Sequence, residues 1–149
     1  MKPFTNIVIA VDLSPVTDVL IDYAQGILSP GGKLWVVHVA APEPDFVGYG
    51  VGPQYIREGR AEQLKEEHER LSEIKEQVLA KGLNCESLLI QGPTVQTLVD
   101  EAQKLKADLI LVAKHSRGFI EKLILGSTTK NLVESTKTPV LVIPSFSED

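Results

Sequence analysis

Residues 113–128 read AKHSRGFIEKLILGST and follow the apolar run ADLILV. Gly126, Ser127 and Thr128 are the residue types that open a helix and hold an anion. Glycine lets the backbone approach a ligand. The hydroxyls, the free N–H groups and the positive end of the helix dipole then face the negative charge. The first half of the stretch is different. It carries Ala113, Lys114, His115, Ser116 and Arg117, where a loop that cradles phosphate with its backbone would carry glycine. The chemistry on offer is anion binding in which side-chain charge stands in for backbone permissiveness. Ser127 as a plain helix cap is the structural alternative.

Other chemistries find less support. His115 and Ser116 are neighbours in sequence, and neighbours rarely form a nucleophile–base hydrogen bond; no G-x-S-x-G elbow is present. The three histidines and the single cysteine show no metal-ligand spacing. His38 lies in an apolar run and reads as a hydrogen-bonded core histidine, and His68 lies in a charged helix and reads as solvated. His115, inside the loop, could act toward phosphate. Cys85 reads as a small packing residue, and one cysteine allows no internal disulfide. There is no G-x-x-x-x-G-K-[S/T], and GYGVG (48–52) lies in a long loop, readable as a lid, and not in a tight strand–helix turn.

The elements that must position the loop can be read from hydrophobic period. NIVIAV (6–11), KLWVVHVA (33–40), CESLLIQ (85–91), DLILVAK (108–114) and PVLVIP (139–144) are short apolar runs rich in β-branched residues, as buried parallel strands should be. Between them, residues 16–28 place Val16, Leu20, Tyr23, Ala24 and Ile27 at helical spacing, with Ser14 as cap and Pro15 at the first position. SPGG (29–32) ends that helix. The segment 41–55 reads as a loop. Residues 56–82 carry a narrow stripe of Leu64, Leu71, Ile74 and Val78 on a charged helix. Residues 93–106 put Val95, Leu98, Val99 and Ala102 on one face, and 127–136 form the last helix. Strands alternating with helices predict a single-domain, three-layer α/β/α fold with a parallel sheet, and a ligand crevice beyond the carboxyl ends of the strands. The 149 residues suffice for one such domain. A net charge of −5 argues against a general nucleic-acid surface. The first apolar run, Ile7 to Val11, is too short to span a membrane, so the expected compartment is the cytoplasm.

Almost the whole chain resembles the universal stress protein family. The residues that carry the resemblance are IVIAVDLSP, LWVVHVA, GPTVQTLVDEAQKLKADLILVA and GSTTKNLVESTKTPVLVIP, in that order. The resemblance implies the Rossmann-like, adenine nucleotide alpha hydrolase-like sheet ordered 3-2-1-4-5, and a homodimer. It also implies an adenine nucleotide, ATP with Mg2+, with at most weak hydrolysis. By the same resemblance Asp12 approaches the ribose or base, Ala10, Val11 and Val39 line the adenine, and the phosphates meet residues 113–117 and 126–128. For Asp12 an Asx turn with Ser14 is the structural alternative, and for Val11 and Val39 it is core packing. As the sheet's terminal strand, PVLVIP would be an apolar edge, which pairing across a two-fold axis or the C-terminal tail would cover.

Nucleotide-binding members carry G-x-x-G, nine residues, then G-[S/T]. Here Gly126 and Ser127 keep the second half, while Ala113 and Ser116 replace the first two glycines. If both needed φ > 0, each would cost roughly 1–2 kcal/mol, together about thirty- to a thousand-fold in affinity. Lys114 and Arg117 oppose this, one charge-assisted hydrogen bond to phosphate contributing about 1.5–3 kcal/mol. Two readings therefore stand: a dimeric nucleotide-binding stress module, and an interaction protein of the same fold that binds an unidentified protein partner and no nucleotide.

Overall fold

The computed structural model describes residues 4–40, 54–114, 132 and 134–144. The elements are β1 (Phe4–Ala10), α1 (Val16–Ile27), β2 (Leu28–Ala40), α2 (Gln54–Ala80), β3 (Asn84–Gln91), α3 (Thr94–Lys104), β4 (Leu109–Lys114) and β5 (Val140–Pro144). The five strands form one sheet ordered β3-β2-β1-β4-β5, with every pairing parallel. This is the expected α/β/α architecture and strand order. Of the last helix, Leu132, Glu134 and Ser135 are described, and all three are helical. No described helix is long and apolar enough to cross a membrane.

The apolar runs are continuous because both faces of the sheet are covered. On one face Ile7, Ile9, Leu34, Val36, Leu109 and Leu111 pack with Leu20 and Ala24 of α1 and Leu71 and Val78 of α2. On the other, Val8, Val37, Ile110 and Val112 pack with Leu98, Val99 and Ala102 of α3 and with Leu132. The period of two along each strand sorts the residues between these two cores.

Three local expectations are corrected. Tyr23 is not part of the buried stripe of α1. It is 50% exposed, while Thr17 and Ile21 are buried, so the stripe is centred on Leu20 and Ala24 with Tyr23 at its rim. The segment 29–32 does not merely end α1; it lies within β2. Phe4 pairs with Leu28 and Asn6 with Lys33, so the extra β2 residues form a bulge. Ser14 does not cap α1 with its side chain. Its carbonyl accepts from Thr17 N at 3.0 Å, and its hydroxyl is buried without a hydrogen-bond partner.

The amino end of the sheet is locked by one polar cluster. The Asp108 carboxylate accepts from Thr5 N, Thr5 Oγ1 and Asn6 N at 2.9, 3.0 and 3.1 Å. Asn6 Nδ2 donates to the carbonyls of Leu105 and Lys106, and Asn6 Oδ1 accepts from Trp35 Nε1 at 2.6 Å. One asparagine thus joins β1, β2 and the α3–β4 turn, where Lys106 is left-handed at φ 56. Elsewhere, Lys75 Nζ donates to Glu86 Oε1 at 3.0 Å and ties α2 to β3. That hydrogen bond and its charge raise the Lys75 pKa and lower that of Glu86.

Two outcomes follow from this packing. Asn6→Ala leaves two half-buried partners, the Leu105 carbonyl and Trp35 Nε1, unpaired, and is expected to lower stability in urea unfolding by about 2 kcal/mol. Cys85 is 4% exposed, and burial, the dominant cause, pushes its thiol up to about 11. The thiolate is the reactive form. Cys85 should therefore resist iodoacetamide at pH 8 in native protein and react at the rate of a free thiol in urea.

Candidate functional site

Strand order reverses between β1 and β4, because β2 and β3 lie to one side of β1 and β4 and β5 to the other. The carboxyl ends of those strands frame the crevice such sheets use for ligands. From β1 come Ala10, then Val11, Asp12 and Leu13 of the turn into α1. From β2 comes Val39, and from β4 come Ala113 and Lys114. The sequence-predicted residues His115, Ser116, Arg117, Gly126, Ser127 and Thr128 lie outside the described residues, as does the loop segment 41–53.

Alternation divides the predicted adenine-lining residues. Ala10 and Val39 are half-buried, both on the α3 face of the sheet. Val11 points to the opposite face, where it is 6% exposed among residues of α1 and α2. Its core packing, anticipated from its type, is observed, and its backbone carries the rest. Val11 N donates to the Val37 carbonyl at 2.9 Å, and its own carbonyl accepts from His38 Nδ1 at 2.9 Å. His38 is therefore the hydrogen-bonded histidine that its apolar surroundings suggested. Its Nε2 faces Glu67 Oε1 of α2 at 3.7 Å.

Asp12 is half-buried, and its Oδ1 accepts from Ser14 N at 3.0 Å. That is the Asx turn expected of its position. Leu13 follows in the left-handed region at φ 66, unusual for a leucine. Its side chain is 5% exposed and anchored in the core. Its carbonyl accepts from Arg70 Nη2 of α2.

Ala113 changes the weighing of the phosphate loop. It is a regular strand residue paired with Ile143, buried at 6%, and not among the described residues with positive φ. The strain assumed for a non-glycine residue here does not arise. Whatever cost the lost glycines impose falls on Ser116 alone. Across the crevice, Gly92 N donates to the Ala40 carbonyl at 3.2 Å. Gly92 has φ 154, and a Cβ built there would lie 2.5 Å from Thr97 Oγ1. Only glycine fits this turn beside the end of β2.

With this geometry in view, known proteins can be compared. The sequence profile of the universal stress protein family matches residues 3–144. The chain belongs to the universal stress protein family. A universal stress protein encoded in the QAH/OAS sulfhydrylase 3′ region of Thermus aquaticus is 32% identical over 115 residues, 76% of this chain and 78% of that one. A universal stress protein solved in complex with cAMP superposes with a TM-score of 0.63 at 24% identity, covering 95% of this chain and 98% of that one. The universal stress protein of Archaeoglobus fulgidus solved in complex with dAMP also gives 0.63, at 20% identity, over 95% of this chain and 99% of that one.

Within this universal stress protein, sequence reasoning missed Leu13, Glu67, Arg70 and Gly92. Leu13 left no trace, since nothing about a leucine marks a left-handed position. Glu67 and Arg70 stood among many charges on a helix whose apolar stripe alone was read. Gly92 alone had a signal, a glycine between a strand and Pro93.

Leu13 yields an ordering that inverts the usual one. Leu13→Ala keeps the left-handed strain and empties a core position, so stability should fall by about 2–4 kcal/mol. Leu13→Gly loses the same burial but relieves the strain, worth up to about 1 kcal/mol. Thermal melts should therefore rank wild type above Leu13→Gly, and Leu13→Gly above Leu13→Ala.

Proposed function

We propose that this universal stress protein binds an adenine nucleotide, ATP with Mg2+, at the crevice where strand order reverses, and acts as a binding and sensing module. The observation that carries the reading is the state of Ala113. The replacement that argued most against a phosphate site is a strained position only in the glycine motif, not in this strand. Ala10 and Val39 offer a half-buried apolar wall on one face, and Asp12 sits at the end of β1 in the position for a ribose hydroxyl. The cAMP and dAMP complexes of two proteins of the same fold support adenine as the base. Lys114, His115 and Arg117, with Gly126, Ser127 and Thr128, would meet the phosphates, and the magnesium would enter with them, held largely by phosphate oxygens and water.

Each of these groups has a separate task. The apolar wall excludes water from the base. The carboxylate of Asp12 accepts from the sugar hydroxyls. Cations and free helix N–H groups balance the phosphate charge. None of these tasks requires a general base, so occupancy, and not turnover, is the output. β5 lies at the sheet edge, preceded by Pro139 and ending in Pro144. A second copy pairing along 139–144 would cover it and make a homodimer in the cytoplasm, so that each subunit carries a nucleotide beside the shared edge.

Calorimetric titration with Mg-ATP, after denaturing extraction to remove and identify any co-purified nucleotide, tests the reading. Micromolar binding is expected. Ser116→Gly should tighten it by about five- to thirtyfold, the equivalent of relieving one left-handed residue. Ala113→Gly should bring no gain and should lower stability by about 0.5–1 kcal/mol as a strand glycine. Asp12→Ala should weaken binding at least about tenfold, roughly one good hydrogen bond to a charged group. No heat up to millimolar ATP, with no extracted nucleotide, would leave the interaction-protein reading in place.

A further inference from the structure

Asp12 is gripped from both sides by groups that do not belong to its own turn. A peptide unit is planar, so fixing its carbonyl fixes the N–H on its other edge. The Val11–Asp12 peptide has its carbonyl held by His38 Nδ1 at 2.9 Å. The Leu13–Ser14 peptide has its carbonyl held by Arg70, and the N–H of that same unit is the one that donates to Asp12 Oδ1 at 3.0 Å. Arg70 thus sets the plane that sets the carboxylate. Between the two units stand Asp12 and Leu13, and Leu13 is left-handed at φ 66 with its side chain held in the core.

Both grips lead to α2. Arg70 and Glu67 are three residues apart and share a helix face. Glu67 faces His38 Nε2 at 3.7 Å, with their side chains 18% and 13% exposed. Its other carboxylate oxygen lies 3.5 Å from Gln63 Nε2. An open groove of about 260 Å³ lies between the start of α1 and α2, lined by Leu13, Ser14, Thr17, Arg70, Glu73 and Gln77 among others. α1 and α2 share one apolar core, and the Arg70 bond to the Leu13 carbonyl ties α2 to the turn itself. We propose that Arg70 and the His38–Glu67 pair are positioning residues through which α2 controls the orientation of Asp12, and hence the affinity for the adenine nucleotide. By reciprocity, nucleotide occupancy biases α2, the helix that follows segment 41–53.

A carbonyl only accepts, so His38 Nδ1 is the donor in its bond to Val11.

The inference rests on the nucleotide reading, and the test separates the two. Hydrogen exchange of the Ser14 amide, measured by NMR in nucleotide-free protein, reads the grip alone; Mg-ATP titration reads its consequence. Arg70→Met keeps the aliphatic stem, and should speed Ser14 exchange and weaken ATP by about tenfold, with Arg70→Lys recovering part of both. Glu67→Gln keeps the shape and removes the charge opposite His38, and should weaken ATP severalfold without changing the fold. Unchanged Ser14 exchange in Arg70→Met would overturn the positioning role. Faster exchange with wild-type affinity would overturn control of the site by α2. Wild type that binds no ATP would overturn the ligand, and faster Ser14 exchange in the variant would still uphold the grip.

Discussion

The end of β1 is the constraint on which the rest of this molecule depends. Among the described strands β1 is the central one, with β2 on one side and β4 on the other. Parallel strands carry on as long as their ladders do, and the Val11 amide to Val37 carbonyl bond continues the β1–β2 ladder past the end of β1. Beyond it the chain must leave the sheet plane, turn and start α1 on one face within a few residues. The turn is made by an Asx bond, a left-handed leucine and a proline. Each is a local device, and only Leu13 has a large apolar side chain to hold it in the core.

Much of this architecture was legible in the sequence, and the reason is burial on both faces. A strand covered twice reads as an unbroken apolar run, and five such runs separated by helical stripes leave few topologies open. Boundaries were less legible where packing and hydrogen bonding disagree. Residues 29–32 contain proline and two glycines, which suggests a loop, yet the bulge holds them within β2. Tyr23 fits helical spacing on paper, but the width of the buried arc is set by what α1 faces, and the arc, centred on Leu20 and Ala24, leaves Tyr23 at its rim.

The candidate site was legible by type and not by conformation. Asp12, Ala10 and Val39 were named through the family resemblance, and the apolar runs only put them near the carboxyl ends of β1 and β2. Ala113 shows the limit. Counting back along a glycine motif reaches it near the end of β4, but the inference that an alanine there is strained needs a φ angle that no count supplies. Leu13 is the converse case, since its sequence neighbours give no hint of φ > 0, while its anchor in the core and Arg70 make the conformation tenable. A glycine motif is a statement about permitted backbone, and a chain can satisfy the same backbone elsewhere.

The two ends of the sheet answer to different demands, and this explains where the polar groups went. At the amino end Asn6, Asp108, Trp35 and Thr5 bond almost exclusively to one another and to backbone carbonyls of the neighbouring turn. That network spends side-chain specificity on register, fixing β1 between β2 and β4. At the carboxyl end the polar side chains reach backbone from a distance: His38 from β2, Arg70 from α2. Register is already set, so these contacts are released from holding the sheet together and can govern a single turn. A strained residue such as Leu13 is tolerable at this end because the strand that leads to it is fixed at the other. The same division makes the turn sensitive to α2, since a helix can shift by a fraction of an ångström without disturbing a ladder locked at its opposite end.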